Sequence, residues 1–169
     1  MAVEEHRKRA PASASFAVIT VSDTRTQATD TGGEAAREGL ESAGHRVVRR
    51  AIVPDEGRAI SGALREALAD PSVEAVILTG GTGIAPRDRT IEAVSAILEK
   101  RLDGFGEIFR ALSFEEVGSA AILSRALAGT AWGKAIFALP GSPKGVSLAV
   151  ARLIAPEIGH ILGELRRAP

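Results

Sequence analysis

The segment Thr79-Gly80-Gly81-Thr82-Gly83 follows the apolar run Ala75-Val76-Ile77-Leu78. Glycines adopt φ > 0 and let a backbone approach a ligand closely. Successive exposed N–H groups then form a concavity suited to phosphate. The segment reads as an anion-binding loop at the end of a buried strand. The stretch from Gly80 to Arg89 is long for a strand-to-helix connection, which favours a ligand over a plain turn. The familiar glycine signatures do not fit. Gly81-x-Gly83 is followed by Pro86 where a dinucleotide fingerprint needs a third glycine, and Gly133-Lys134 continues with Ala135 rather than Ser or Thr.

Acidic and hydroxyl residues stand near this loop or at similar positions elsewhere. Asp88 either caps the next helix or serves a site, and Thr90 is an alternative cap. Arg87 and Arg89 can pair with Asp88 or contact phosphate themselves. Asp55, after Pro54, reads first as a cap for the helix behind it. Asp23, after Ser22, belongs to a turn or a site. Ser142 followed by Pro143 is a strong helix start, and such a start also presents N–H groups and partial positive charge to an anion. Trp132 beside Gly133 reads as packing in a turn, and Ser124 and Arg125 as helix-end residues.

Composition narrows the chemistry. Lys plus Arg total 21 and Asp plus Glu total 21 in 169 residues. The zero net charge speaks against a nucleic-acid binder but not against a local anion site. With no cysteine, thiol nucleophiles, disulfides and cysteine-zinc sites are ruled out. His6, His45 and His160 are far apart and form no metal-spaced motif. A metal here would be a hard cation held by carboxylate and phosphate, most simply Mg²⁺. Met1 to Ser15 is charged and then Ala/Ser/Pro-rich, without the apolar core of a signal peptide. It reads as a flexible arm, 1–15, before a single domain, 16–169. No apolar stretch suggests a membrane span, and the expected location is cytoplasmic.

The elements needed to position these residues follow from apolar periodicity. Phe16 to Val21 and Ala75 to Thr79 read as strands covered on both faces, and Ala135 to Leu139 as the last strong strand. Arg46 to Val53 is a more polar strand near an edge. Thr31-Gly32-Gly33-Glu34 has capping-box spacing and starts a helix ending at Gly44. Ile60, Ala63, Leu64, Ala67 and Leu68 mark the clearest helix. Thr90 caps a helix carrying Ile91, Val94, Ile97 and Leu98. A short helix is expected around Phe105 to Leu112 and another at Ala120 to Ser124, with a turn at Gly129 to Gly133. Pro156 interrupts or kinks the helix that begins at Ser142. Alternating strands and helices predict an α/β fold, a mainly parallel sheet with helices on both faces. Ligands of such sheets bind beyond the carboxyl ends of the strands. Ser22-Asp23, Pro54-Asp55, Thr79 to Asp88 and Pro140 to Pro143 all fall at that rim.

Taken in order, six segments resemble a known family. They are Val21-Ser22-Asp23, Ile52-Val53-Pro54-Asp55-Glu56, Leu78-Thr79-Gly80-Gly81-Thr82-Gly83, Pro86-Arg87-Asp88, Ala121-Ile122-Leu123-Ser124-Arg125 and Leu139-Pro140-Gly141-Ser142-Pro143. The order is similar to that of molybdenum-cofactor biosynthesis proteins of the MogA/MoaB type and of the gephyrin G domain. Gly104 to Arg110, Ser113 to Gly118 and Ile154-Ala155-Pro156-Glu157 resemble the MoaB branch. The resemblance covers roughly residues 16 to 165.

The resemblance implies a three-layer α/β/α fold and a homotrimer, or a hexamer made of two trimers. It implies binding of molybdopterin and transfer of AMP from ATP to its terminal phosphate with Mg²⁺. Asp55 and Asp88 map onto the family's functional aspartates and metal-holding positions. Ser22, Asp23, Thr79, Gly80, Gly81, Thr82, Gly83, Ser124, Pro140, Gly141, Ser142 and Pro143 would line the substrate and phosphate sites. The molybdate-inserting enzyme of the same pathway is a further expected partner. Two other readings stay open at this stage. One is a non-catalytic molybdopterin-binding or scaffold paralogue. The other is a nucleotide pyrophosphatase, as in related competence-damage-type proteins.

Overall fold

The computed structural model describes residues 11–167, so most of the expected arm, residues 1–10, lies outside the described residues. Six strands are found among the described residues: β1 Ser15–Val21, β2 Arg46–Val53, β3 Ala75–Thr79, β4 Lys100–Arg101, β5 Leu127–Ala131 and β6 Lys134–Leu139. They form one sheet in the order β2-β1-β3-β6-β5-β4. The first four in that order are parallel neighbours. The pairs β5–β6 and β4–β5 are antiparallel. The helices are α1 Thr31–Ser42, α2 Gly57–Ala69, α3 Thr90–Ser95, α4 Asp103–Val117, α5 Pro143–Ala149 and α6 Ala155–Leu165.

The strand period of two divides the core between the faces. Phe16, Val18, Ile77 and Phe137 pack with Leu40 of α1, Phe109 of α4 and Ile158 of α6. Their alternates Ala17, Ile19, Leu78 and Ile136 pack with Ile60 and Leu64 of α2 and Val94 of α3. Each buried Leu, Ile or Phe contributes about 1.5–3 kcal/mol in transfer free energy. The three-layer α/β/α arrangement follows directly. The polar strand β2 lies at the edge, as its sequence indicates.

Several local expectations change. The chain is already packed before Phe16: Ala14 and Ser15 are buried, and the Arg46 amide donates to Ala14 O at 3.0 Å. Helix α1 is capped by Asp30, whose carboxylate accepts the Gly33 amide at 2.9 Å. Thr31 is therefore its first helical residue rather than its cap. Thr90 likewise sits inside α3, after Arg89. Ile97 and Leu98 lie beyond that short helix and lead into β4. The expected turn at Gly129 to Gly133 is mostly strand β5. Its Gly129 permits a close crossing, since a Cβ there would lie 2.3 Å from Lys100 O. The turn itself is Trp132-Gly133, both at positive φ. The short helix around Phe105 grows to 15 residues.

Pro143–Leu165 forms one helical run of 23 residues that contains an 18-residue window of mean hydropathy 1.4, so an apolar segment of membrane-spanning length does exist. Val146, Val150, Ile154, Ile158 and Leu162 recur every four residues and are buried against the sheet, as expected of a core helix. Pro156 does not end the run. A π-helical turn, Val150–Ile154, precedes it, and such a turn relieves the missing N–H and the ring clash of an interior proline.

Candidate functional site

Because β1, β2, β3 and β6 are parallel neighbours, the loops leaving them share one rim. Two bonds lock the ends of β3 and β6 together. The Gly80 amide donates to Leu139 O at 3.1 Å, and Thr79 Oγ1 donates to Pro140 O at 2.8 Å. The Ser22 amide donates to Val53 O at 2.9 Å and ties β1 to β2. At the loop start, Gly80 has φ 96° and Gly81 φ 63°. A Cβ on Gly80 would lie 2.3 Å from Val21 O. Only glycine fits both the torsion and that approach.

Neither aspartate caps its own helix. The N-cap of α2 is Glu56 and that of α3 is Arg89, and neither makes a side-chain cap bond. Instead Asp55 Oδ1 accepts the Arg89 amide at 3.0 Å, and Asp88 Oδ2 accepts the Ala85 amide at 2.8 Å. Both carboxylates border the glycine loop. A Cβ on Gly81 would lie 2.6 Å from Asp55 Oδ2, and one on Gly83 would lie 2.6 Å from Asp88 Oδ2. Asp23 joins the group, its Oδ1 accepting the Asp55 amide at 3.1 Å and its Oδ2 accepting from Arg87 Nε at 2.5 Å.

The electrostatics separate these acids. Burial raises the pKa of Asp55; the Arg89 amide opposes this, and the nearby Asp88 and Asp23 charges add to it. Asp23 is held below its ordinary value, chiefly by the Arg87 hydrogen bond and next by the Asp55 amide. One acid is therefore uncomfortable as an anion while its neighbour is neutralised by an arginine.

The remaining expected residues divide between clefts. Ser22, Thr79, Gly80 and Gly141 line a narrow cleft of about 170 Å³ with Arg25 and Asp30. Asp55, Pro86, Arg87 and Arg89 line an open one of about 450 Å³. Ser142 caps α5, its Oγ accepting the Gly145 amide at 3.1 Å, with Pro143 at the first turn. Ser124 faces a third cleft of about 500 Å³ with Arg101 and Arg110. It is not part of either rim cleft. Its hydroxyl oxygen is buried without a partner.

Three further residues near the site carry contacts beyond those expected from the sequence. Asp30, buried beside Thr20 and paired with Arg50 at 3.1 Å, forms one wall of the narrow cleft. Thr90 donates its hydroxyl to Gly80 O at 2.7 Å. Arg125 reaches the glycine loop from more than forty residues away. The Asp30 role had a local signal, an acid just before Thr31-Gly32-Gly33. Arg125 had none, because its partners are distant in the chain, and Thr90, ten residues from Gly80, was expected only as a helix cap.

The loop offers donors. Among the described residues, no acceptor is present for the N–H groups of Gly81, Thr82 and Gly83. Also among the described residues, no group of three or more histidines or acids could hold a metal by itself. Asp55 Oδ2 and Asp88 Oδ1 each remain without a hydrogen bond there. Two such oxygens suit a hard cation that takes its other ligands from phosphate and water.

Residues 17–160 match a family described as a probable molybdopterin binding domain. The chain is 52% identical over 166 residues to molybdenum cofactor biosynthesis protein B of Halalkalibacterium halodurans, covering 98% of each chain. It is 48% identical over 168 residues to the protein of that name from Bacillus subtilis, covering 99% of each. Among solved structures, a molybdenum cofactor biosynthesis protein B superposes with TM-score 0.91 at 47% identity, over 94% of this chain and 99% of that one. The tungsten cofactor synthesizing protein MoaB from Pyrococcus furiosus gives TM-score 0.83 at 40% identity, over 94% and 100%.

Proposed function

The chain belongs to the molybdenum cofactor biosynthesis family that includes MoaB, and from that premise we propose that it is a molybdopterin adenylyltransferase. In this reading a terminal phosphate oxygen of molybdopterin attacks the α-phosphorus of ATP. The new P–O bond forms as the bond to the β-phosphate breaks, giving adenylyl-molybdopterin and pyrophosphate.

The observation that carries the reading is the placement of Asp55 and Asp88. Each ties one oxygen to a backbone amide and holds the carboxylate against a glycine of the donor-rich loop. The free N–H groups of Gly81, Thr82 and Gly83, at the end of the segment Thr79 to Gly83, bind phosphate, and Arg87 and Arg89 stand at the mouth to receive polyphosphate charge. Asp55 and Asp88 would hold Mg²⁺, which when bound neutralises charge on the polyphosphate. Ser22, Asp23 and the Pro140-Gly141-Ser142-Pro143 segment shape the remainder, while Ser124, whose hydroxyl is buried outside both rim clefts, is left out of it. The nucleophile is already anionic, so no histidine or cysteine is required. Positioning and charge compensation supply the catalysis.

The same reading places the chain in the cytoplasm as a homotrimer, or two trimers paired, working beside a molybdate-inserting enzyme. The oligomer is supported by four exposed apolar side chains within ten residues, Phe114, Val117, Ile122 and Leu123, which neighbouring copies would cover.

Pyrophosphate release from ATP that depends on added molybdopterin tests the activity. Asp88→Asn should lower turnover at least about 100-fold while retaining pterin binding, because an amide accepts the Ala85 N–H but cannot balance a divalent cation. Wild-type turnover in that variant rules out the metal role. Pterin binding without any pyrophosphate release by the wild type establishes the non-catalytic alternative.

A further inference from the structure

We propose that Arg125 is a positioning residue that keeps the glycine loop turned with its donors toward the ligand. The inference rests on the rim being the anion site. A loop that offers N–H groups to an anion must send its carbonyl oxygens elsewhere. In a trans peptide the C=O and the following N–H point in opposite directions. Holding a carbonyl therefore aims the next amide.

All four carbonyls of Gly80 to Gly83 are held. Gly80 O accepts the Thr90 hydroxyl at 2.7 Å, and Gly81 O accepts the Thr90 amide at 3.0 Å. These two bonds aim the N–H groups of Gly81 and Thr82. Arg125 Nε donates to both Thr82 O, at 3.2 Å, and Gly83 O, at 2.9 Å. It thereby aims the N–H groups of Gly83 and Ile84. The guanidinium is itself anchored, since its Nη1 meets Glu92 Oε1 of α3 at 2.5 Å. A cation seated on the carbonyl side of a peptide also polarises that peptide, so its N–H becomes a better donor.

Thr90 is a near neighbour of the loop, but Arg125 arrives from the segment between α4 and β5. The loop thus has a local clamp on its first half and a remote clamp on its second. The function of the second clamp is to keep two carbonyl oxygens from turning into the phosphate seat.

The test compares Arg125→Met and Arg125→Lys with the wild type by amide hydrogen exchange and by calorimetric titration with inorganic pyrophosphate. In Arg125→Met the Ala85 and Thr90 amides, which are bonded to Asp88 Oδ2 and to Gly81 O, should exchange at least tenfold faster, while the β3 amides and the melting temperature hold. Pyrophosphate affinity should fall about tenfold, the effect of losing hydrogen bonds to a charged donor. Arg125→Lys should recover part of both, because an ammonium reaches one carbonyl better than two. Unchanged exchange at Ala85 and Thr90 overturns the proposal, as does a loss of stability without a local effect. Should Arg125→Met fail to fold, Arg125→Lys decides by the same local rates. A wild type that binds no pyrophosphate defeats the anion-site reading, while the exchange rates still decide the brace.

Discussion

Asp55 is the residue in which stability and function oppose each other. Its pKa is raised above the ordinary aspartate value, first by burial. Between the unfolded and folded values the native state binds more protons, so stability falls as pH rises through that window. At neutral pH the ionised carboxylate therefore destabilises the ligand-free fold. Asp55→Asn should melt at the same temperature as the wild type or higher, since the amide oxygen can still accept the Arg89 N–H. Adenylyl transfer should be lost. A fall of several degrees in the melting temperature, read by calorimetry, would contradict this account. Sequence alone brought Asp55 and Asp88 into view by residue type and by their place after a strand. It favoured a cap for Asp55, because a cap is the local use of an acid before a helix. The actual partner, the Arg89 amide, is 34 residues away, and no local pattern encodes such a crossing.

At the scale of elements, the parallel half of the sheet was legible and the antiparallel half was not. The runs Phe16 to Val21 and Ala75 to Thr79 announce buried strands by continuous apolarity. Strand β5, Leu-Ala-Gly-Thr-Ala, is made of small residues, and its glycine resembled a turn signal. Its place is fixed by tertiary fit, Gly129 passing against Lys100. The β5–β6 turn adds a second oddity. Trp132 has φ 54° and is half exposed, although a bulky L-residue is disfavoured there by about 1–2 kcal/mol. A two-residue turn with both φ positive prefers Asn-Gly. Trp132→Asn should therefore stabilise the chain by about 1 kcal/mol in urea unfolding. An unchanged or lower midpoint would mean that the indole makes contacts worth as much as the strain.

At the scale of the molecule, the apolar residues from Phe114 to Leu123 carry no mark of exposure in the sequence, since periodicity does not distinguish a core face from an interface. In the fold, Phe114 is 61% exposed and Ile122 77% exposed. If the proposed trimer forms through this face, Phe114→Glu with Ile122→Asp should sediment as a monomer where the wild type sediments as a trimer, with the far-ultraviolet dichroism retained. A wild type that is itself monomeric at micromolar concentration would remove the trimer from the proposed function.

The order of the sheet also sets a timetable. Strand β1 pairs with β3 through Phe16 and Ala75, 59 residues apart, and β3 pairs with β6 through Ala75 and Ala135, 60 residues apart. Two long crossovers must close before the central strands have neighbours on both sides. Loop closure is entropically unfavourable and slows folding in proportion to contact order. The β5–β6 hairpin has no such requirement and can form early. The loop after β3 acquires its strand neighbours and the remote arginine only once both crossovers are closed. Its readiness to bind an anion is therefore a marker of completed folding, and a newly made chain would gain that ability last.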